Sequence, residues 1–267
     1  MIPCMNELTF GRETKFEEDL KATADAGFRA IEISPQKLAD FVEREPQGRA
    51  KALLDEYHLK AAGLCGYSLR AFSKSEASVQ VVEQGIKFAR AIDTNIILVY
   101  FDRPPADMPK DEASLAVVKR SKVLAQAAKE AGIRIALEPL GRHPIVPGPE
   151  EALKIVKEVG SPALGIMMDT FHYFCSGVAP DEVKKIPSEL LLIVHINDCE
   201  DLPREKLTDK NRLYPGEGIM PLEEYLAALG EINYQGYLSV ELFREEYRRG
   251  GPGPLAKRSY QTLMCFL

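Results

Sequence analysis

The feature that most restricts this chain is a rhythm in which short apolar, β-branched runs alternate with amphipathic stretches, eight times over. Runs suited to strands lie at 2–6, 30–33, 60–64, 96–100, 133–138, 164–169, 191–196 and 237–241. Between them, apolar residues at three- and four-residue spacing predict helices, most clearly over 15–26, 75–91, 111–131, 149–159 and 221–230. Gly27, Gly132 and Gly160 follow three of these helices, where a left-handed C-cap is wanted. Pro149 and Pro221 stand where a first helical turn tolerates a residue without an N–H. The Pro- and Gly-rich stretches 142–149 and 249–254 read as loops rather than linkers, since the pattern continues on both sides of each. A single domain over 1–267 is therefore expected.

Eight βα units either form an open sheet wound on both faces or close into a barrel. Two observations predict closure. No G-x-G-x-x-G follows the first strand, where a dinucleotide fold carries it, and unusual polar residues cluster at the C-terminal ends of the last four strands. The expected fold class is α/β, a single (β/α)8 TIM barrel, and 267 residues suit one.

Composition narrows the function classes. Hydrophobic residues make up 45% and charged residues 28%, ordinary values for a soluble chain with a sizeable core. The net charge of -6, with no basic block longer than Arg248-Arg249, would repel a polyphosphate chain, so nucleic acid is not an expected partner. The five cysteines are scattered and show no C-x-x-C spacing, which argues against a disulfide framework or a structural zinc site and for a reducing compartment. No apolar run approaches the roughly 20 residues that span a bilayer, and no signal-peptide pattern is seen at the N-terminus. The expectation is a cytoplasmic protein with no membrane partner. Its oligomeric state is not specified by the sequence.

Four consecutive strand candidates end in an ionisable residue: Ile-Ala-Leu-Glu138, Ile-Met-Met-Asp169, Ile-Val-His195 and Leu-Ser-Val-Glu241. One charged strand end is commonplace, because strands exit into solvent. Four in succession bring three carboxylates and an imidazole to one half of a barrel mouth, where the carboxylates repel strongly in a low dielectric. A dication removes that repulsion. Glu138, Asp169, His195 and Glu241 are thus expected to hold one divalent metal ion, Mn2+ first, with Zn2+, Co2+, Fe2+ or Mg2+ also compatible with an oxygen-rich set carrying one nitrogen. Four protein ligands on an ion that accepts five or six leave positions for water or substrate oxygens, which implies catalysis.

Longer segments carry a resemblance. Met5-Asn-Glu-Leu-Thr9, Ile31-Glu-Ile33, Ala136-Leu-Glu138, Asp169-Thr-Phe-His172, His195-Ile-Asn-Asp198, Glu200-Asp-Leu-Pro203 through Leu207-Thr-Asp209, Tyr214-Pro-Gly-Glu-Gly218 and Ser239-Val-Glu-Leu-Phe243 resemble the xylose isomerase-like sugar isomerase and epimerase superfamily over nearly the whole chain. Within it the chain is most similar to the inosose (2-keto-myo-inositol) isomerases of inositol catabolism. The resemblance implies that Glu138, Asp169, His195 and Glu241 bind the metal and that Glu138 and Glu241 also act as acid and base. It further implies that His172 contacts substrate oxygen, and that Arg212, three residues before Pro215-Gly216, binds substrate. Related ketose epimerases carry a further glutamate six residues after the first metal glutamate. Pro144 stands there, which favours a cyclic substrate over an open-chain ketose.

Other polar residues admit two readings. Asp198 suits either an orienting partner for a ligand or a turn, and Asn6 and Glu32 end the first two strands, where they either reach the pocket or do not. His143 follows Glu138 in a loop and either touches substrate or only packs, while His58 is expected on a helix far from the rim in a structural role. Tyr67, Phe72 and Phe101 either wall the pocket or belong to the core.

The expected reaction is isomerisation of a small keto-polyol, 2-keto-myo-inositol to 1-keto-D-chiro-inositol in type, through a cis-enediolate formed by glutamate-mediated proton transfer. The alternatives are a ketose 3-epimerase or hydroxypyruvate-type sugar isomerase, a keto-polyol or dehydroshikimate dehydratase, and, outside catalysis, a sugar-binding barrel. An apurinic endonuclease needs a histidine-rich three-metal cluster, and four histidines with a negative net charge oppose it.

Overall fold

A computed structural model describes residues 1–72 and 77–267, the side chains of 77–79 excepted. Its centre is a closed parallel barrel of eight strands: β1 (Ile2–Asn6), β2 (Ala30–Ile33), β3 (Lys60–Leu69), β4 (Ile96–Phe101), β5 (Arg134–Leu137), β6 (Leu164–Asp169), β7 (Leu191–Ile196) and, after two short strands, β10 (Tyr237–Val240), which returns to pair with β1. The short strands β8 (Asp198–Cys199) and β9 (Arg212–Leu213) form a separate antiparallel ribbon. This is the (β/α)8 TIM barrel that the strand count and the strand ends predict.

Around the barrel run α1 (Phe16–Ala26), α2 (Pro35–Arg44), α3 (Arg49–Glu56), α4 (Ala77–Ala91), α5 (Lys110–Ala131), α6 (Pro149–Val159), α7 (Thr170–Ser176), α8 (Pro180–Val183), α9 (Leu222–Glu231), α10 (Glu245–Arg248) and α11 (Pro252–Leu263). Gly27, Gly132 and Gly160 cap α1, α5 and α6 at φ of 111°, 73° and 62°, the left-handed region in which a side chain is strained. The predicted helix over 75–91 begins outside the described residues and is helical from Ala77.

Three local expectations are corrected. The third strand runs on from Leu64 to Leu69, because Gly66 takes φ 95° and absorbs a register shift against β4 rather than ending the strand. Pro221 caps α9 instead of standing in its first turn. The stretch 249–254 is only partly a loop: Pro252 starts α11, a position where a missing N–H costs nothing, and α11 packs on α1 and β1 to seal the barrel seam.

Strand side chains alternate in and out of the barrel. The interior is filled by Cys4, Ala30, Ala62, Cys65, Leu98, Ala136, Met167, Leu192 and Ile193, while the larger core lies between strands and helices. That alternation positions the site. Ala136, Met167, Ile193 and the buried Ser239 stand two residues before Glu138, Asp169, His195 and Glu241, so each of those four side chains points inward at the mouth. Among the described residues no helix is long and apolar enough to cross a membrane.

Candidate metal centre

Glu138, Asp169, His195 and Glu241 sit at the ends of β5, β6, β7 and β10, four neighbours in the barrel. Asp169, His195 and Glu241 each offer a ligand atom within 4.8 Å of the others, and so do Glu138, Asp169 and His172. The cluster is therefore two overlapping triads that share Asp169, and together they hold the four expected residues and His172.

Three of the four expected residues, Asp169, His195 and Glu241, are held from outside. Asp169 caps α7: its Oδ1 accepts from the backbone N–H groups of Phe171 at 2.8 Å and His172 at 3.4 Å, and from Asn197 Nδ2 at 3.3 Å. Its Oδ2 is left for the mouth. His195 Nε2 lies 3.0 Å from Glu32 Oε1 and 3.3 Å from Asn6 Nδ2, so the opposite nitrogen, Nδ1, faces Asp169 Oδ2 at 3.7 Å and Glu241 Oε2 at 3.2 Å. Asn6 Nδ2 also donates to Glu241 Oε1 at 3.0 Å. Asn6 and Glu32 thus reach the site and hold His195 and Glu241 in place. Asn197 was missed in the sequence, although it lies two residues beyond His195 and on the same face.

Two substrate-contact candidates complete the cluster. His172 is carried by α7 and lies with Nε2 3.7 Å from Glu138 Oε1; a side chain at Gly141 would meet Cys175 Cβ at 2.9 Å and crowd the backbone oxygen and ring of His172 at 3.2 and 3.3 Å, so glycine lets the loop after β5 pass close behind α7. Arg212 is not a solvated surface residue. The β8–β9 ribbon turns it inward until it is 1% exposed, its guanidinium between the rings of Phe171 and Phe243 at 4.8 and 5.1 Å. Nη1 donates to Asp169 Oδ2 at 2.7 Å and to Glu241 Oε2 at 2.9 Å, and Asp209 Oδ1 accepts from Nε at 3.1 Å and from Nη2 at 2.8 Å. Nη2 also lies 3.3 Å from His172 Nε2. A guanidinium only donates, so this histidine nitrogen accepts and the ring proton sits on Nδ1. His172 Nε2 thus presents an acceptor to the mouth.

Remaining candidates resolve as structural. His143 Nδ1 accepts from the N–H groups of Ile145 and Val146 at 3.2 and 3.0 Å, and Nε2 lies 3.0 Å from Asp102 O, so the ring ties its own loop to the end of β4. Asp198 accepts from the N–H groups of Cys199, Gly218 and Met220 at 2.8, 2.9 and 2.9 Å and clamps the 216–220 turn. His58 follows α3 rather than lying in it, at φ 54°. Tyr67, Phe72 and Phe101 pack with the core.

Electrostatics follow from burial and charge. Burial pushes Glu138 well above the usual carboxylate range, with Glu241 and Asp169 adding to the rise. Burial acts the same way on Asp169, but Arg212, His172 and His195 outweigh it and hold that carboxyl well below its usual range. Burial opposes charging of His195, yet Glu241 and Glu32 raise it well above the ordinary imidazole value. His172 is lowered, chiefly by burial.

The donor set fits a divalent ion. His195 Nδ1 is buried and makes no aligned hydrogen bond, although two carboxylate oxygens stand beside it. A buried nitrogen without a partner is costly, and a cation shared with those oxygens satisfies all three atoms. Its other nitrogen is anchored by a carboxylate, the arrangement that metal-bound histidines use.

A family profile described as xylose isomerase-like TIM barrel matches residues 20–264. The inosose isomerase of Halalkalibacterium halodurans is 30% identical over 91% of this chain and 88% of its own length. The 3-dehydroshikimate dehydratase of Pseudomonas putida is 28% identical over 86% of this chain but only 36% of its own length. Among solved structures, that of the IolI protein with a bound zinc atom superposes with a TM-score of 0.92 at 26% identity, covering 100% of this chain and 98% of the other.

Proposed function

The chain belongs to the xylose isomerase-like TIM barrel family, and we propose that it is a metal-dependent isomerase that moves a ketone to the neighbouring carbon of a cyclic polyol, in the manner of 2-keto-myo-inositol to 1-keto-D-chiro-inositol. The single observation that carries this reading is His195 Nδ1, buried without an aligned partner and aimed at the same space as Asp169 Oδ2 and Glu241 Oε2. Similarity to an inosose isomerase over 88% of that enzyme's length supports the substrate class.

Glu138, Asp169, His195 and Glu241 are the proposed ligands of one divalent ion. Mn2+ is the first expectation from the oxygen-rich set, and Zn2+ stands beside it because the IolI structure contains zinc. When bound, such an ion draws charge from a ketone oxygen and acidifies the neighbouring C–H. The chain's own groups do the rest. One of Glu138 and Glu241, at the two ends of the ligand row, takes the proton from the carbinol carbon, leaving an enediolate. The other side of the row returns a proton to the former carbonyl carbon, while the hydroxyl proton passes from the first oxygen to the second. Atoms and charge balance, and no outside oxidant is needed. Acid–base assistance of this kind contributes about 10²- to 10⁴-fold. His172 Nε2, an acceptor here, suits holding a substrate hydroxyl or relaying that oxygen-borne proton, and Arg212 is the proposed second substrate contact.

The dehydratase relative supports a second reading, in which the same enolate expels a β-hydroxyl instead of being reprotonated. Incubating metal-loaded and chelator-treated protein with 2-keto-myo-inositol, and following product by chromatography and ultraviolet absorption, separates the two. The isomerase reading expects metal-dependent formation of an isomeric inosose without an absorbing enone. An enone as the product assigns the chain to the dehydratases, and no turnover with metal bound removes the isomerase reading.

A further inference from the structure

Arg212 Nη1 touches the two carboxylate oxygens, Asp169 Oδ2 and Glu241 Oε2, that face His195 Nδ1. A substrate contact would be expected to present free donors to the pocket. Here Nη1 is spent on the carboxylates, Nε and Nη2 on Asp209, and Nη2 also faces His172. The guanidinium is fully buried between two aromatic faces, so its place is fixed by packing as well as by charge.

From this we infer that Arg212 is a resident counter-cation that competes with the metal for Asp169 and Glu241. It keeps the metal-free mouth folded by neutralising two buried carboxylates, and it lowers metal affinity because an incoming ion must take oxygens already in use. Burying either carboxylate without a cation is strongly unfavourable. Metal entry is then the exchange of one cation for another. It leaves Nη1 free to donate to a substrate oxygen, so the donor is released when the site becomes competent. The counter-cation role acts through the two carboxylates and rests on the metal reading above.

The experiment titrates Mn2+ and Zn2+ into chelator-treated wild type, Arg212→Ala and Arg212→Lys by calorimetry, with thermal melts of the metal-free forms. In R212A the metal affinity is expected to rise about tenfold or more while the metal-free melting temperature falls. Millimolar guanidinium is expected to restore that temperature and to weaken metal binding again. R212K keeps the charge but loses the fork, so a rise of about threefold or more there separates competition for the oxygens from general repulsion. It also keeps the test open if R212A does not fold. Unchanged or weaker metal affinity in both variants overturns the inference, as does a guanidinium effect on stability without one on affinity. Failure of wild type to bind either ion stoichiometrically would instead overturn the metal reading on which it rests.

Discussion

His195 Nε2 lies 3.0 Å from Glu32 Oε1, and this pairing between β7 and β2 turns His195 Nδ1 toward Asp169 and Glu241. Glu32 is fully buried with Oε1 and Oε2 at 3.0 and 3.1 Å from His195 Nε2, so its contribution is orientation and basicity of the imidazole. Glu32→Gln is therefore expected to weaken metal binding by about 10- to 100-fold while leaving the fold intact. Calorimetric titration of the chelator-treated variant checks this, with far-ultraviolet circular dichroism as the control for folding. Wild-type affinity would show that the ring is held by packing alone.

Asp198 provides the opposite case, a buried carboxylate close in sequence to a ligand but committed to a turn. Asp198→Ala removes the acceptor for three backbone N–H groups and is expected to cost about 3 kcal/mol or more of stability. Metal affinity of the folded fraction should stay within about threefold of wild type. Chemical denaturation measures the first and titration below the unfolding transition the second. A loss of affinity without a loss of stability would return Asp198 to the metal site.

A buried acid pair away from the mouth sets a pH dependence. Burial pushes Glu7 well above the usual carboxylate range, with Asp19 adding to the rise and Lys37 opposing it; burial likewise raises Asp19 to about 6 against the pull of Lys37 and Thr14. Carboxyls raised in the folded state bind protons more tightly there than in the unfolded chain. Their stabilising share is complete below the unfolded values and is lost as pH climbs through the folded ones. Wild type should thus lose stability between about pH 4 and 6 through Asp19, and through Glu7 as pH climbs above the usual carboxylate range. Glu7→Gln keeps an acceptor for Ser34 N–H, which Glu7 Oε2 binds at 2.7 Å, and removes one titration. Its melting temperature relative to wild type should rise as pH climbs above the usual carboxylate range, by scanning calorimetry. A difference that does not grow with pH would show that folding does not raise Glu7.

Much of this was legible in the sequence because strand periodicity is a short-range property. Four inward residues at the ends of neighbouring strands follow from a spacing of two and a barrel order, and Glu138, Asp169, His195 and Glu241 are where that logic puts them. The site's supports were harder to read. Glu32 and Asn6 belong to strands far away in the chain, and only barrel closure brings them to His195 and Glu241. Arg212 was visible through resemblance, yet its burial depends on a two-residue ribbon with Cys199 that no periodicity announces. Helix α11 was hidden for a local reason: Pro252-Gly-Pro254 reads as loop chemistry unless the first proline is known to start a turn.

Proton removal beside a ketone is the chemistry proposed for the row Glu138, Asp169, His195 and Glu241. Its most direct test is metal-loaded protein incubated with 2-keto-myo-inositol in D2O and followed by proton nuclear magnetic resonance. Wild type should place solvent deuterium on carbon beside the carbonyl, at a rate that falls by about 10²-fold or more in Glu241→Gln even where metal stays bound. Silence in the metal-loaded wild type, or undiminished exchange in the variant, would contradict the account.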